Sequence, residues 1–251
     1  MGARRQETAL DLESYLRLTR GITVSIAYLL PLLAAYEVGV TLIGSDMRNS
    51  AEISLKQMGG LFGGYAIWIQ RMVLVVALAV AVRLAQRDVP ALRLYPVFLL
   101  EATLLALLLG PFVAMLVGGV GLQAAVPADA VHGAMPGTAE RVLLSIGAGV
   151  YEELFFRFLL LAGGFAFLHK GVGLARGLSF GIALAVSTLL FAAYHHLGPG
   201  GEPFRAVTFL FRIGAGAVLG LLFAGRGLAL CAYLHAFYDI FCDLHAAGGM
   251  T

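Results

Sequence analysis

Residues 150–161 read Val-Tyr-Glu-Glu-Leu-Phe-Phe-Arg-Phe-Leu-Leu-Leu. Two glutamates and an arginine stand inside a run that is otherwise apolar and aromatic, and that extends from about Val142 to Leu168. That run exceeds the roughly 18 residues that mark a membrane-helix candidate. An ionisable side chain at membrane depth costs at least ~2.5–3.5 kcal/mol on insertion scales, so Glu152, Glu153 and Arg157 mark this segment as a candidate for function.

The rest of the chain has the same character. Of 251 residues 60% are hydrophobic and only 13% charged, whereas about a quarter of a typical soluble domain is charged. Seven apolar runs read as spans: about Gly21 to Gly44, Leu61 to Val82, Tyr95 to Val120, Val142 to Leu168, Leu178 to Leu197, Ala206 to Ala224 and Leu228 to His245. Each would satisfy its own backbone hydrogen bonds in lipid. The expected fold is all-α: a polytopic transmembrane helix bundle of about seven spans, with room for an eighth, forming a single integral-membrane domain over residues 1–251. Gly214, Gly216 and Gly220 read as a helix-packing face, because small residues let membrane helices approach closely. Ser50 to Gly59 reads as a short interfacial helix, and Gln123 to Gly137 and Gly198 to Pro203 as loops.

The net charge of +2 and the lack of a basic run point away from nucleic acid. Cys231 and Cys242 would lie about 16 Å apart along one helix, too far to bridge. The first apolar run is longer than a signal-peptide core and lacks a clean small-x-small cleavage site, so it reads as a retained span. Only Lys56 and Lys170 of the 17 basic residues are lysine. With the abundance of Ala and Gly, that composition suggests a GC-rich bacterial genome and a bacterial cytoplasmic (inner) membrane. Arg4, Arg5, Arg17, Arg20, Arg83, Arg87, Arg93, Lys170, Arg176 and Arg226 fall on one side of the bundle; Arg48, Lys56, Arg141 and Arg205 fall on the other. The positive-inside rule then puts the N-terminus in the cytoplasm.

Two further spans carry polar groups: His195 and His196 near the end of the fifth, and His235 and Asp239 in the seventh. Glu153 and Arg157 are four apart and can pair on one helix face. Glu152 is rotated by about 100° and is left to face something else. Asp239, four residues beyond His235, can reach and orient that imidazole. A polar network that merely joins helices is the simpler reading of any one such pair, but three spans each bringing a Glu or His favour one internal cavity. Zinc is chemically open to such donors, yet no spacing here specifies a metal and no cofactor is expected. Glu37, Arg71, Glu101 and Arg212 are further charges within spans, expected to pair structurally; Arg212, beside the cavity, could also hold a substrate carboxylate.

In order and spacing, Glu152-Glu153-x-x-x-Arg157, Phe191-x-x-x-His195 and His235-x-x-x-Asp239 resemble the three signature motifs of the CAAX prenyl protease and bacteriocin-processing family of glutamic intramembrane endopeptidases. The resemblance covers about residues 141–245, and the first three spans carry no motif. It implies that Glu152 activates a water, with His195 assisting. A carboxylate in an apolar helix is poorly solvated and so a stronger proton acceptor. It further implies that His235 stabilises an oxyanion through an N–H, and that Glu153, Arg157 and Phe191 support the site. The last motif often ends in Asn; here Asp239 donates a hydrogen bond only when protonated, and orienting His235 is the role that suits it. His196 is expected at the cavity mouth or towards the loop. The implied substrate is a membrane-anchored or exported protein, and removal of a C-terminal sorting or anchor segment is one such reaction.

Other patterns mislead. Gly177-x-Ser179-x-Gly181 matches a nucleophile elbow, which has meaning only on a strand-turn-helix. No His-Glu-x-x-His occurs, so a metalloprotease of that type is unsupported. The competing class is a non-proteolytic membrane protein, either a proton-coupled transporter or a binding or immunity scaffold, because buried Glu and His chains also relay protons. No repeated half with broken helices is evident, as many transporters have. With a cytoplasmic N-terminus, the site is biased towards the extracytoplasmic side. Cysteines introduced beside Glu152 and His195 should therefore react with an impermeant maleimide added outside intact cells. Labelling from the cytoplasmic face alone would reverse the orientation.

Overall fold

A computed structural model describes residues 11–43, 49–60, 93–118, 137–197 and 201–248, together with Met72, Ala79 and Arg83. The expected second span (61–82), Arg71 and most of the expected loop at 123–137 lie outside the described residues. Every regular element among the described residues is helical. In chain order these are α1 (Leu12–Thr19), α2 (Ile22–Ile43), α3 (Ser50–Gly60) and α4 (Tyr95–Leu116). A long helix α5 follows, comprising Thr138–Glu152 and, without a break, the wider π-type turns Glu153–Gly163, an α turn Gly164–Ala166 and π-type turns Phe167–Gly171. The last three are α6 (Arg176–Tyr194), α7 (Ala206–Arg226) and α8 (Leu228–Gly248).

Helices α2, α4, α6 and α7 are long and apolar enough to cross a membrane. Their outer faces explain why: on α4, Val97, Leu100, Leu104, Leu107, Leu108, Phe112 and Met115 are all exposed. Apolar rims this extensive are incompatible with water and suit lipid. The protein is an integral-membrane helix bundle.

Helix α8 is its axis. Ala229, Leu230, Cys231, Ala232 and Ala236 have no exposed surface, and α2, α4, α5 and α7 all pack on it. Small residues on α8 and glycines on its neighbours allow this. A Cβ on Gly149 of α5 would lie 2.5 Å from the Ala232 carbonyl oxygen and 2.7 Å from the Ala236 nitrogen, so the two backbones meet with only hydrogen between them. The glycine face on α7 makes room for side chains instead, a Cβ on Gly214 meeting the Val113 side chain at 2.8 Å and one on Gly220 meeting that of Leu184 at 2.4 Å.

Glu37, Glu101 and Arg226, charges within described helices, all have partners. Arg226 donates to both oxygens of Glu101 at 2.9 and 2.5 Å, and also to Thr19 and the Leu16 carbonyl. Tyr15 donates to Glu101 as well, which locks α1 against the ends of α4 and α7. Tyr151 donates to Glu37 at 2.5 Å. Two features differ in kind from the hydropathy reading. Helix α6 stops at Tyr194 rather than running to Leu197, because three-residue bonds from His196 to Ala193 and from Leu197 to Tyr194 tighten the chain ahead of Pro199. The 50–60 helix is more than interfacial: Ala51 and Glu52 at its start have no exposed surface, and Tyr36 donates to Glu52 at 2.5 Å.

Gly149→Ala should lower the thermal unfolding temperature in detergent, consistent with an overpacking cost of about 1–3 kcal/mol. Gly181→Ala, where an added Cβ meets nothing within 4 Å, should leave it unchanged or raise it.

Candidate active site

Four elements converge on the carboxylates of α5. Glu152 ends the regular α-helical part and Glu153 begins the wider turns. Local widening of this kind is frequent at functional sites. Ser187 of α6 donates to the Phe156 carbonyl at 2.6 Å within the widened stretch, which ties α5 and α6 together below the carboxylates.

Glu153 has no exposed surface. Its Oε1 accepts from His235 Nδ1 at 2.7 Å and lies 2.8 Å from Arg157 Nη1. The arginine contact is close but not directed as a hydrogen bond, and both terminal nitrogens of Arg157 lack a hydrogen-bond partner. The guanidinium lies over the Phe191 ring, 4.3 Å from its centroid, a geometry in which the ring face attracts the cation. The far side of the His235 ring, Nε2, is 3.4 Å from Asp239 Oδ2. His235 is thus flanked by two carboxylates, and Glu153 is the nearer. The sequence pattern names only Asp239 as its orienting group, since it cannot show a contact between α5 and α8.

Glu152 faces the other way. Its Oε2 lies 3.7 Å from His195 Nε2 and has no hydrogen-bond partner. The opposite ring nitrogen, Nδ1, is 2.8 Å from the Phe191 carbonyl. A carbonyl only accepts, so Nδ1 carries a proton, and the lone pair of a neutral His195 ring would be the one at Nε2. The Glu152 side chain is 8% exposed and that of His195 23%, so the pair opens to its surroundings from the histidine side. Phe191 joins the two halves, its ring lying edge-on to His195 at 4.9 Å and to His235 at 5.9 Å.

His196 lies in the loop after α6, and Arg212 reaches that loop from α7. His196 donates from Nδ1 to the Glu202 carbonyl at 3.0 Å and packs on Phe204 and Phe209. Arg212 pairs with the Glu202 carboxylate at 2.5 Å, a partner absent from the three motifs. Sequence reasoning also misses Asn49, whose Nδ2 is 3.4 Å from Glu152 Oε1, and Ser54, hydrogen-bonded to the Tyr194 hydroxyl at 2.8 Å. Asn49 followed three residues later by Glu52 is a helix-start pattern, the one signal that could have drawn attention to it. Among the described residues, no group of three or more His, Cys, Asp or Glu side chains is placed to hold a metal ion.

The carboxylate of Glu152 with the His195 imidazole, beside the His235 imidazole between two carboxylates, forms one polar cluster inside the bundle. Residues 136–241, less than half of the chain, match the family model described as Type II CAAX prenyl endopeptidase Rce1-like, and the three motifs lie within that stretch. What that stretch is similar to is a CAAX prenyl endopeptidase domain, that is, a hydrolase. No curated protein and no solved structure matches the chain.

Removing one partner of a buried pair strands the other charge, at a cost of about 3–5 kcal/mol. Glu153→Ala should therefore lower the unfolding temperature strongly, and Glu153→Leu combined with Arg157→Met should recover most of the loss.

Proposed function

We propose that the chain hydrolyses a peptide bond with a water activated by Glu152 and His195. The observation that carries this reading is the unpartnered Oε2 of Glu152 facing His195 Nε2 at 3.7 Å. When Nε2 bears a lone pair, the two atoms repel across that gap unless a proton donor lies between them. A water within reach of both supplies that donor, and a base acting directly or through one water meets the geometric requirement for proton abstraction.

The water oxygen attacks the scissile carbonyl carbon while Glu152 takes its proton, and the carbonyl electron pair moves onto oxygen. His235 is the donor for that oxyanion. A carboxylate at each ring nitrogen accommodates an N–H on both, and the Nε2–H, held only loosely by Asp239 at 3.4 Å, is the one the oxyanion takes over. Asp239 thereby orients the ring. Collapse of the intermediate expels the amine, which leaves with the proton held by Glu152. Removing one oxyanion donor of this kind costs about 10²–10³-fold in rate.

The substrate we infer is a membrane-anchored or exported protein in a bacterial cytoplasmic membrane, cut near the extracytoplasmic side, with loss of a C-terminal sorting or anchor segment as the reaction. The basis is the arginine asymmetry and the depth of Glu152 in the fourth span.

In the native host, Glu152→Ala should leave a defined set of membrane or surface proteins with an uncut terminal segment, detected by comparing peptide termini with wild type. Unchanged termini alongside a lost phenotype, with the variant present at normal level, would instead identify Glu152 as a proton-carrying or structural group.

A further inference from the structure

Asn49 lies far outside residues 136–241, yet four of its atoms are fixed around the site. Its backbone N–H donates to the Tyr36 hydroxyl at 3.2 Å, and that hydroxyl in turn donates a hydrogen bond to Glu52. Its carbonyl accepts from Ile53 at 3.1 Å. Its side-chain Oδ1 accepts from the Ala51 N–H at 2.8 Å, the bond of a helix N-cap. Because a backbone N–H only donates, that bond fixes which end of the amide is oxygen, and the NH₂ end must point away. Away is towards Glu152, whose Oε1 lies 3.4 Å from Nδ2. The anchor beneath is rigid: Tyr36 has no exposed surface, and its ring fills the space that a Cβ on Gly147 would occupy at 2.5 Å. At the other end of the segment, Ser54 is hydrogen-bonded to Tyr194, next to His195. Helix α3 therefore spans the site from its carboxylate to the helix end that carries its imidazole.

We propose that Asn49 is a positioning residue of this site, its amide N–H holding Oε1 of Glu152 so that Oε2 is the oxygen left facing His195 and the water. A carboxylate free to rotate exchanges its two oxygens; one tied at Oε1 keeps a fixed direction. The proposal rests on Glu152 being the base, as argued above. It also gives the amino-terminal half of the chain a part in the reaction.

The test separates the amide donor from the helix cap. Asn49→Ser and Asn49→Asp both retain a good N-cap and both lack the amide N–H. Full-length variants in host membranes are assayed on the precursors that accumulate with Glu152→Gln. Both should lower the rate at saturating precursor by about 10²-fold, the scale of a misplaced reacting group, with an unchanged half-saturating concentration and an unchanged unfolding temperature. Processing by Asn49→Ser at the wild-type rate overturns the proposal, whatever Asn49→Asp does. So does a loss of rate that appears only with loss of folded protein in both variants, which would make Asn49 a cap and nothing more. Precursors still processed by Glu152→Gln would overturn the functional reading itself, and this proposal with it.

Discussion

A carboxylate without solvent exposure can stay ionised in an apolar bundle only if cations and donors surround it, and Glu153 is such a group. Arg157 reaches it from one turn further along α5, and His235 reaches it from α8. The second contact demands that the two helices lie close together. Gly149, four residues before Glu153 and so on nearly the same face, admits the α8 backbone at Ala232 and Ala236, on either side of His235 in sequence. The glycine and the ion pair are two parts of one constraint, since the absent side chain makes room for the contact that the buried charge requires. Helix α8 then serves both as the axis of the bundle and as the carrier of the second imidazole.

Once Glu153 is fixed towards α8, Glu152 is committed to another direction. Adjacent residues on a helix diverge by about 100°, and this turns Glu152 to the end of α6 and the start of α3. Two neighbouring carboxylates of the same chemistry thus acquire different environments. One is closed in by a guanidinium and an imidazole; the other keeps an oxygen with no hydrogen-bond partner. Contrasting surroundings are what allow two carboxylates of the same chemistry to take different parts. The widened turns that begin at Glu153 sit at the same point of the chain, and Ser187 binds a carbonyl within them.

What the sequence makes legible follows from the range of each interaction. Hydropathy alone marks a helical membrane bundle, because lipid imposes length and apolarity on each span separately. The i,i+4 pairs Glu153–Arg157 and His235–Asp239 are legible for the same reason: helix geometry brings them together whatever else happens. The Gly214, Gly216 and Gly220 stripe could be read as a packing face from its spacing. Contacts between helices distant in sequence could not be read. Nothing near residue 153 indicates that His235 is its partner, nothing near Arg212 indicates Glu202, and nothing in the motifs indicates Asn49. Gly149 passes unnoticed as one glycine among many, its importance set by a helix more than eighty residues away.

The early end of α6 has a chemical consequence that the hydropathy profile hides. The last carbonyls of a helix have no partner further along the chain and can accept from side chains instead. Phe191 is in that final turn, and its carbonyl accepts a hydrogen bond from the Nδ1–H of His195. The imidazole that folds back on its own helix end has its tautomer set there, so Nε2 is the nitrogen that faces Glu152. The turn after Tyr194 is held in turn by Glu202, whose N–H donates to the His195 carbonyl at 2.9 Å while its own carbonyl accepts from His196 and its carboxylate is held by Arg212. Gly201 permits the approach, since a Cβ there would lie 2.7 Å from the His196 backbone. A helix stopped three residues short, a glycine and one buried arginine together determine which nitrogen of His195 faces Glu152.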